Sequence, residues 1–331
     1  MSPLITVGVL ALQGAFVEHL ALLRQAAESL VLNAQQQQEG ARRQRTEDAV
    51  AGTTAAGGSP GGQPYDKDAG VRRGDPSQQR QQHQQPLEEP SLPRPPLNSP
   101  SFDFVEVRTP QELAACSALI IPGGESTAIS LIAERTGLLE PLRDFVKVDR
   151  KPVWGTCAGL ILLAESANKS KATGQALIGG LDVRVQRNYF GRQVESFEAD
   201  LELGFLGVGE TFHSVFIRAP VVEKVLPSSP SSSSFTGALS TSDDTVLAPP
   251  KQATRAQVEI LGRLPGRAQT LKDRTTTAED LGEDGDVVAV RQGNVFGTAF
   301  HPELTGDARI HAWWLGEVLK AAQGNASAKT T

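Results

Sequence analysis

The chain reads as an α/β protein, a three-layer arrangement with a mainly parallel sheet flanked by helices. Two observations predict this. Short apolar runs of strand length alternate with stretches of helical periodicity, the pattern of repeated strand–helix units. Breaks at Gln13-Gly14, Pro122-Gly123-Gly124 and Gly155 to Gly159 each follow such a run, where an open parallel sheet places its functional loops.

The elements follow in order. Leu4 to Leu10 is an apolar strand that leads through Gln13-Gly14 into a helix over about 16–32, with Phe16, Leu20, Leu23 and Ala27 at helical spacing. Phe102 to Val107 is the next strand, and Thr109-Pro110 opens a short helix with proline in its first turn. Leu119-Ile120-Ile121 is a buried strand, a helix follows over about 127–135, and another precedes the strand Val153-Trp154. Segments 181–187, 196–203 and 214–218 read as strands. Val287 to Arg291 and Val295 to Phe300 form a hairpin about Gln292-Gly293-Asn294, and Ala308 to Lys320 is the terminal helix.

Two stretches depart from this pattern. Residues 33–100 are rich in Gln, Gly, Pro and Arg, and a second weak region runs over about 227–285, opening with Ser228 to Ser234. Both lack the apolar surface that offsets ordering entropy, so they read as low-complexity insertions into one domain spanning 1–331; Val258 to Leu261 is a candidate strand within the second. A net charge of −6 gives no reason to expect nucleic acid, and no apolar run reaches membrane-spanning length. Two cysteines fit a reducing compartment, and Leu4 to Leu10 reads as a strand without a basic flank, so the expected location is cytoplasmic. No lysine-bearing phosphate loop or convincing dinucleotide fingerprint occurs.

The chemistry concentrates at Trp154-Gly155-Thr156-Cys157-Ala158-Gly159-Leu160 and at His301-Pro302-Glu303. The first is a strand breaking into a helix around one cysteine, the design of a nucleophile elbow, where bulk beside the nucleophile would clash. The helix dipole there stabilises negative charge. A residue before proline is pushed towards extended geometry, and residues two apart in an extended stretch share a face, which sets Glu303 beside the ring of His301. Cysteine, histidine and carboxylate then make an acyl-transfer triad. Cys116 lies late in a predicted helix with no elbow and reads as packing.

Six segments occur together in order: Gly8-Val9-Leu10-Ala11-Leu12-Gln13-Gly14, Pro122-Gly123-Gly124-Glu125-Ser126-Thr127, Gly155-Thr156-Cys157-Ala158-Gly159-Leu160, Arg187-Asn188-Tyr189-Phe190-Gly191-Arg192-Gln193, Phe216-Ile217-Arg218-Ala219-Pro220 and Phe300-His301-Pro302-Glu303-Leu304. Outside the two biased stretches, the chain resembles the glutaminase subunits of pyridoxal 5′-phosphate synthase, class I triad glutamine amidotransferases, with wording nearest to fungal members. The resemblance implies a flavodoxin-like fold and hydrolysis of L-glutamine by Cys157, His301 and Glu303. It also implies oxyanion donors at the backbone N–H groups of Gly124 and Ala158 with Gln13 close by, and glutamine contacts from Gly124, Glu125, Ser126, Arg187, Ile217 and Arg218. Asn188 to Gln193 and residues 13–19 would face a partner. That partner is a (β/α)8-barrel synthase subunit that combines the released ammonia with ribose 5-phosphate and glyceraldehyde 3-phosphate. No metal or organic cofactor is implied. The resemblance gives His19 no chemistry, and His213 and His311 read as structural.

Rival readings separate on features of this sequence. A glutaminase serving another acceptor would keep the triad without Ile217-Arg218-Ala219-Pro220 or the Arg187 to Gln193 segment. A free-standing γ-glutamyl hydrolase would act without a partner, and a non-catalytic homologue would carry a broken triad.

Overall fold

The computed structural model describes residues 4–54, 101–169, 175–187, 189, 196–227, 245–250, 256–265 and 285–328. His83, the glutamine-rich run at 78–85, Ser228 to Ser234, Asn188 and Phe190 to Gln193 lie outside them. The chain divides into two units, Met1–Leu30 with Pro100–Thr331, and Val31–Ser99.

Strand β1 (Leu4–Leu10) precedes helix α1 (Phe16–Thr54), and β2 (Ser101–Val107), α2 (Pro110–Ala115) and β3 (Ala118–Ile121) follow. Helices α3 (Ser126–Arg135) and α4 (Leu139–Lys147) lead to β4 (Val153–Thr156), α5 (Ala158–Leu163) and β5 (Ala164–Asn168). Then come β6 (Leu181–Gln186), β7 (Ser196–Glu202), β8 (Thr211–Ile217), β9 (Val221–Val225), β10 (Thr245–Leu247) and β11 (Glu259–Leu264). The hairpin β12 (Asp286–Gln292) and β13 (Val295–Thr298) precedes the closing helix α6 (Arg309–Ala328).

The main sheet runs β10-β5-β6-β9-β12-β13-β4-β3-β1-β2, with β11 added on β12, and β7-β8 form a separate ribbon. Its functional half is parallel throughout: β2 on β1, β1 on β3, β3 on β4 and β4 on β13. The strands β1, β3 and β4 are mainly apolar because both faces of the sheet are covered there; Val7, Val9, Leu119, Ile120, Ile121, Val153 and Trp154 are fully buried. After β1 the chain goes outward to β2 and then returns to the other side of β1 as β3, so the strand order reverses between β1 and β3. Such a reversal opens a crevice at the carboxyl ends of the two strands.

The short helix α2 shows how local sequence sets an element. Thr109 accepts the Glu112 N–H, the Glu112 carboxylate reaches back to the Thr109 N–H at 2.9 Å, and Pro110 sits in the first turn. Leu113 anchors it in the core.

Four features depart from the sequence reading. Helix α1 does not stop near 32 but continues to Thr54. The added length is dominated by Ala, Gln, Glu and Arg, strong helix formers that hold a helix on backbone propensity without an apolar stripe. Strands β5 and β9 were not expected; both are short and contain charged or polar positions that break strand patterning. Part of the 227–285 stretch belongs to the sheet: the candidate strand at Val258 to Leu261 is found as β11, paired with β12, and β10, paired with β5, was not expected. Finally, His301 is not in an extended run: it has φ −108° and ψ 82° and caps a single 3₁₀ turn, Pro302–Leu304.

Candidate active site

The carboxyl ends of β1, β3, β4 and β13 supply the site. Gln13 follows β1, Gly123 to Glu125 follow β3, Cys157 follows β4 and His301 follows β13.

Cys157 has φ 47° and ψ −97°, a backbone conformation that a non-glycine residue adopts only when its surroundings enforce it. The enforcement comes from close packing on both sides. A Cβ on Gly159 would press into the carbonyl oxygen of Ile121, and one on Gly155 would meet the Gly159 carbonyl oxygen at 2.6 Å. The elbow therefore closes only with glycine at both places. Cys157 N–H donates to the Thr298 carbonyl at 2.8 Å, which fixes the turn to β13, and the residue is 6% exposed.

The 3₁₀ turn folds Glu303 back under the ring of His301, so that Nδ1 and Glu303 Oε1 are 2.8 Å apart. The neighbour relation expected from an extended stretch is thus achieved by a tight turn, because Pro302 fixes φ at a value that starts a helical turn. The His301 N–H donates to Val215 of β8 at 2.8 Å. Burial works against a proton on the imidazole, but hydrogen bonds to Cys157 and Glu303 and their negative charge outweigh it, and the pKa is raised to about 10. Burial also pushes the Glu303 carboxyl up, yet the adjacent His19 and the His301 hydrogen bond hold it below the ordinary range. Cys116, by contrast, is pushed up to about 11 by burial and donates to the Glu112 carbonyl within its own helix.

The Gly123-Gly124 turn packs directly on this pair. A Cβ on Gly123 would collide with the His301 ring, and one on Gly124 with the Gln13 carboxamide. Gly123 N–H donates to Thr156 Oγ1 at 2.8 Å, and its carbonyl accepts the Ala15 N–H at 3.3 Å. Gln13 Oε1 accepts the Glu125 N–H at 2.7 Å, so Gln13 acts on the loop after β3. Ala158, at the first position of α5, is 1% exposed.

The expected glutamine contacts fall into two groups. Ile217 and Arg218 lie at the end of β8 beside Cys157: the Cys157 thiol is 3.9 Å from the Ile217 carbonyl, and Arg218 has φ 45°. Glu125 is the N-cap of α3, accepting the N–H groups of Thr127 and Ala128 at 3.1 and 2.7 Å. Ser126, Thr127 and Arg187 converge on one atom, Oε1 of buried Gln175, at 3.1, 3.0 and 2.8 Å. Burial lowers the Arg187 pKa to about 10, with Glu125 opposing. Gln175 carries no motif in the sequence and was missed for that reason.

His19 was missed as well. It is fully buried on the inner face of α1, with Nε2 at 3.4 Å from Glu303 Oε2 and Nδ1 at 2.9 Å from Nε2 of buried His311. The available signal was its place in the Leu20–Leu23 stripe, where a polar residue among core positions marks a buried polar contact. His213 lies exposed on β8 between Asp200 and Glu198.

The chain is similar to several known proteins. Residues 83–248 match the SNO glutamine amidotransferase family, a span that takes in Gly123 to Ser126 and Cys157. The probable pyridoxal 5′-phosphate synthase subunit PDX2 of Arabidopsis thaliana is 40% identical over 235 residues, 68% of this chain and 80% of that protein. The pyridoxal 5′-phosphate synthase subunit PdxT of Leifsonia xyli is 42% identical over 216 residues, 65% of this chain and 84% of that protein. A solved glutamine amidotransferase structure is 29% identical with a TM-score of 0.51, covering 94% of this chain and 98% of that one. On the family match over residues 83–248 and the 40% identity to PDX2, this chain belongs to the SNO glutamine amidotransferase family.

Proposed function

We propose that Cys157, His301 and Glu303 hydrolyse L-glutamine to glutamate and ammonia, and that the ammonia serves pyridoxal 5′-phosphate synthesis. The observation that carries the reading is the meeting of His301 and Cys157 at Gly123, with the cysteine on a strained elbow and the Glu303 carboxylate 2.8 Å from the ring. The Cys157 sulfur attacks the side-chain amide carbon. The C–N bond of the resulting tetrahedral adduct breaks as His301 gives its proton to the departing nitrogen, leaving ammonia and a glutamyl thioester. Water, deprotonated by His301, then cleaves the thioester and releases glutamate, returning the proton to the triad. Glu303 holds the ring in one orientation throughout.

The oxyanion is received by the backbone N–H groups of Ala158 and Gly124, a well-aimed donor being worth about 3 kcal/mol of barrier. Gln13 sets the position of the Gly123–Glu125 turn. Ile217 and Arg218 border the substrate beside the thiol. Gly124, Glu125, Ser126 and Arg187 recognise the α-amino and α-carboxylate end, for which a carboxylate and a guanidinium are the matching groups. Residues 1–32 and 101–226, with the β12–β13 hairpin and α6, act as one glutaminase domain. The stretches at 33–100 and 227–285 are additions to it, although β10 and β11 join its sheet. No helix among the described residues is long and apolar enough to cross a membrane. A catalytic thiol must stay reduced, which supports a cytoplasmic location.

The relatives are named as synthase subunits, so the ammonia acceptor is a separate barrel subunit, docking on the face that carries residues 13–19 and Gly124. A glutaminase that ran freely would waste ammonia; docking therefore selects the competent oxyanion arrangement. The test is ammonia release at saturating glutamine while that subunit is titrated in. The expected rise is on the order of tenfold to a thousandfold. A flat rate with binding shown independently favours a free-standing hydrolase. Cys157→Ala should abolish release and Cys116→Ala should not; equal loss from both would remove the triad assignment.

A further inference from the structure

Glu303 has two carboxylate oxygens, and the triad uses one. Oε1 holds His301; Oε2 is buried and makes no hydrogen bond among the described residues, and the charged-group contact facing it is His19 Nε2 at 3.4 Å. The same nitrogen lies 3.3 Å from Thr156 Oγ1, the atom that accepts the Gly123 N–H. An N–H there is shared, with its better geometry on Thr156 and its electrostatic pull on the carboxylate. An ionised carboxylate oxygen in such a place strongly favours a donor over a lone pair.

That preference fixes the whole chain of protons. With the proton of His19 on Nε2, its Nδ1 is an acceptor and takes the Nε2–H of His311 at 2.9 Å. His311 Nδ1, which has no hydrogen-bond partner, is then a bare lone pair. The opposite assignment would face Glu303 with a lone pair and leave a buried N–H of His311 unpaired, two penalties in place of one. Trp154 packs its ring edgewise against both histidines, with centroids 5.6 and 4.9 Å away, so neither ring can turn.

We propose that His19 is a positioning residue for the reaction: its Nε2–H fixes the second oxygen of Glu303, and His311 fixes the tautomer that makes this possible. His19 thereby ties the acid–base side of the site, through Thr156, to the Gly123-Gly124 turn. It is the fourth residue of α1, within the first turn after Gln13 and Gly14, so a shift of the start of α1 reaches both halves of the site. Burial keeps both histidines uncharged, with pKa values lowered to about 3, as a neutral donor requires. The titratable groups facing Glu303 are His301, His19 and, behind it, His311.

The inference rests on the triad reading, and the test separates the two. His19→Leu and His19→Gln are assayed for glutamine hydrolysis beside Cys157→Ala, with the barrel synthase subunit saturating. His19→Leu should lower kcat roughly tenfold or more, the scale seen when an oriented histidine loses its outer partner. KM should stay within about twofold, and the alkaline limb of the kcat profile should move to lower pH as Glu303 loosens from His301. His19→Gln, which keeps an N–H donor, should recover most of both. If His19→Leu does not fold, His311→Leu, which frees the tautomer, should show the same shift in the limb to a smaller extent. An inactive Cys157→Ala with wild-type kcat and pH profile in the foldable variants overturns the role of His19 and leaves the triad standing. An active Cys157→Ala removes the triad reading itself.

Discussion

Gln13 and Glu125, 112 residues apart in sequence, meet through one hydrogen bond from the Glu125 N–H to Gln13 Oε1 at 2.7 Å. The bond ties the exit of β1 to the exit of β3 across the crevice where strand order reverses. Gln13→Ala should therefore release the Gly123–Glu125 turn. A stability loss of about 1 kcal/mol is expected, with a larger effect on the partner-stimulated rate than on the basal one. Urea denaturation and ammonia release with and without the synthase subunit measure the two effects. An equal loss of both rates would mean that Gln13 supports the fold only.

The elbow is set by packing that tolerates no added carbon. Gly159→Ala places a methyl group against the Ile121 carbonyl, and overpacking of this kind costs about 1–3 kcal/mol. Because the displaced backbone is that of the nucleophile's own helix, activity should fall much further than stability. Alkylation of Cys157 by iodoacetamide, followed alongside thermal unfolding, should show slowed thiol reactivity in a folded protein.

The pH dependence of turnover should reflect an imidazolium that persists above neutrality. With the His301 pKa raised to about 10, the proton needed by the leaving ammonia is present below that pH and lost as pH rises through it. The alkaline limb of kcat is expected near 10 and not near the ordinary histidine value. Glu303→Gln removes one of the raising interactions, so its limb should appear at lower pH, with a smaller loss of rate than in His301→Asn.

Acid should destabilise the fold through His19 and His311. Both have folded pKa values near 3 against 6.5 in the unfolded chain, so between these limits the unfolded chain binds protons that the native state refuses. Stability is fully present above about 6.5 and falls as pH drops below it, by up to about 1.4 kcal/mol per pH unit for each group. Replacing His311 with Gln should flatten that slope by one group's share. Urea midpoints at pH 5 and 7 give the comparison, and an unchanged slope would mean that His311 does not titrate on unfolding.

The sheet's parallel half, the elbow at Cys157 and the partnership of His301 with Glu303 were legible in the residues alone. These rest on local rules: apolar runs buried on both faces, glycine where backbones touch, and two residues held close by proline. The loops after β1 and β3 were legible for the same reason, since strand ends are marked by Gln13-Gly14 and Pro122-Gly123-Gly124. Where local rules compete, the sequence fell short. The stretch after residue 32 lacks an apolar stripe yet forms helix on propensity alone, and β10 gains strand identity only from the neighbour it pairs with. The contacts of His19 with Glu303 and His311, and of Gln175 with Ser126 and Thr127, join positions far apart in the chain. A buried polar side chain is specified by the partner that satisfies it, and only the tertiary structure brings that partner within reach.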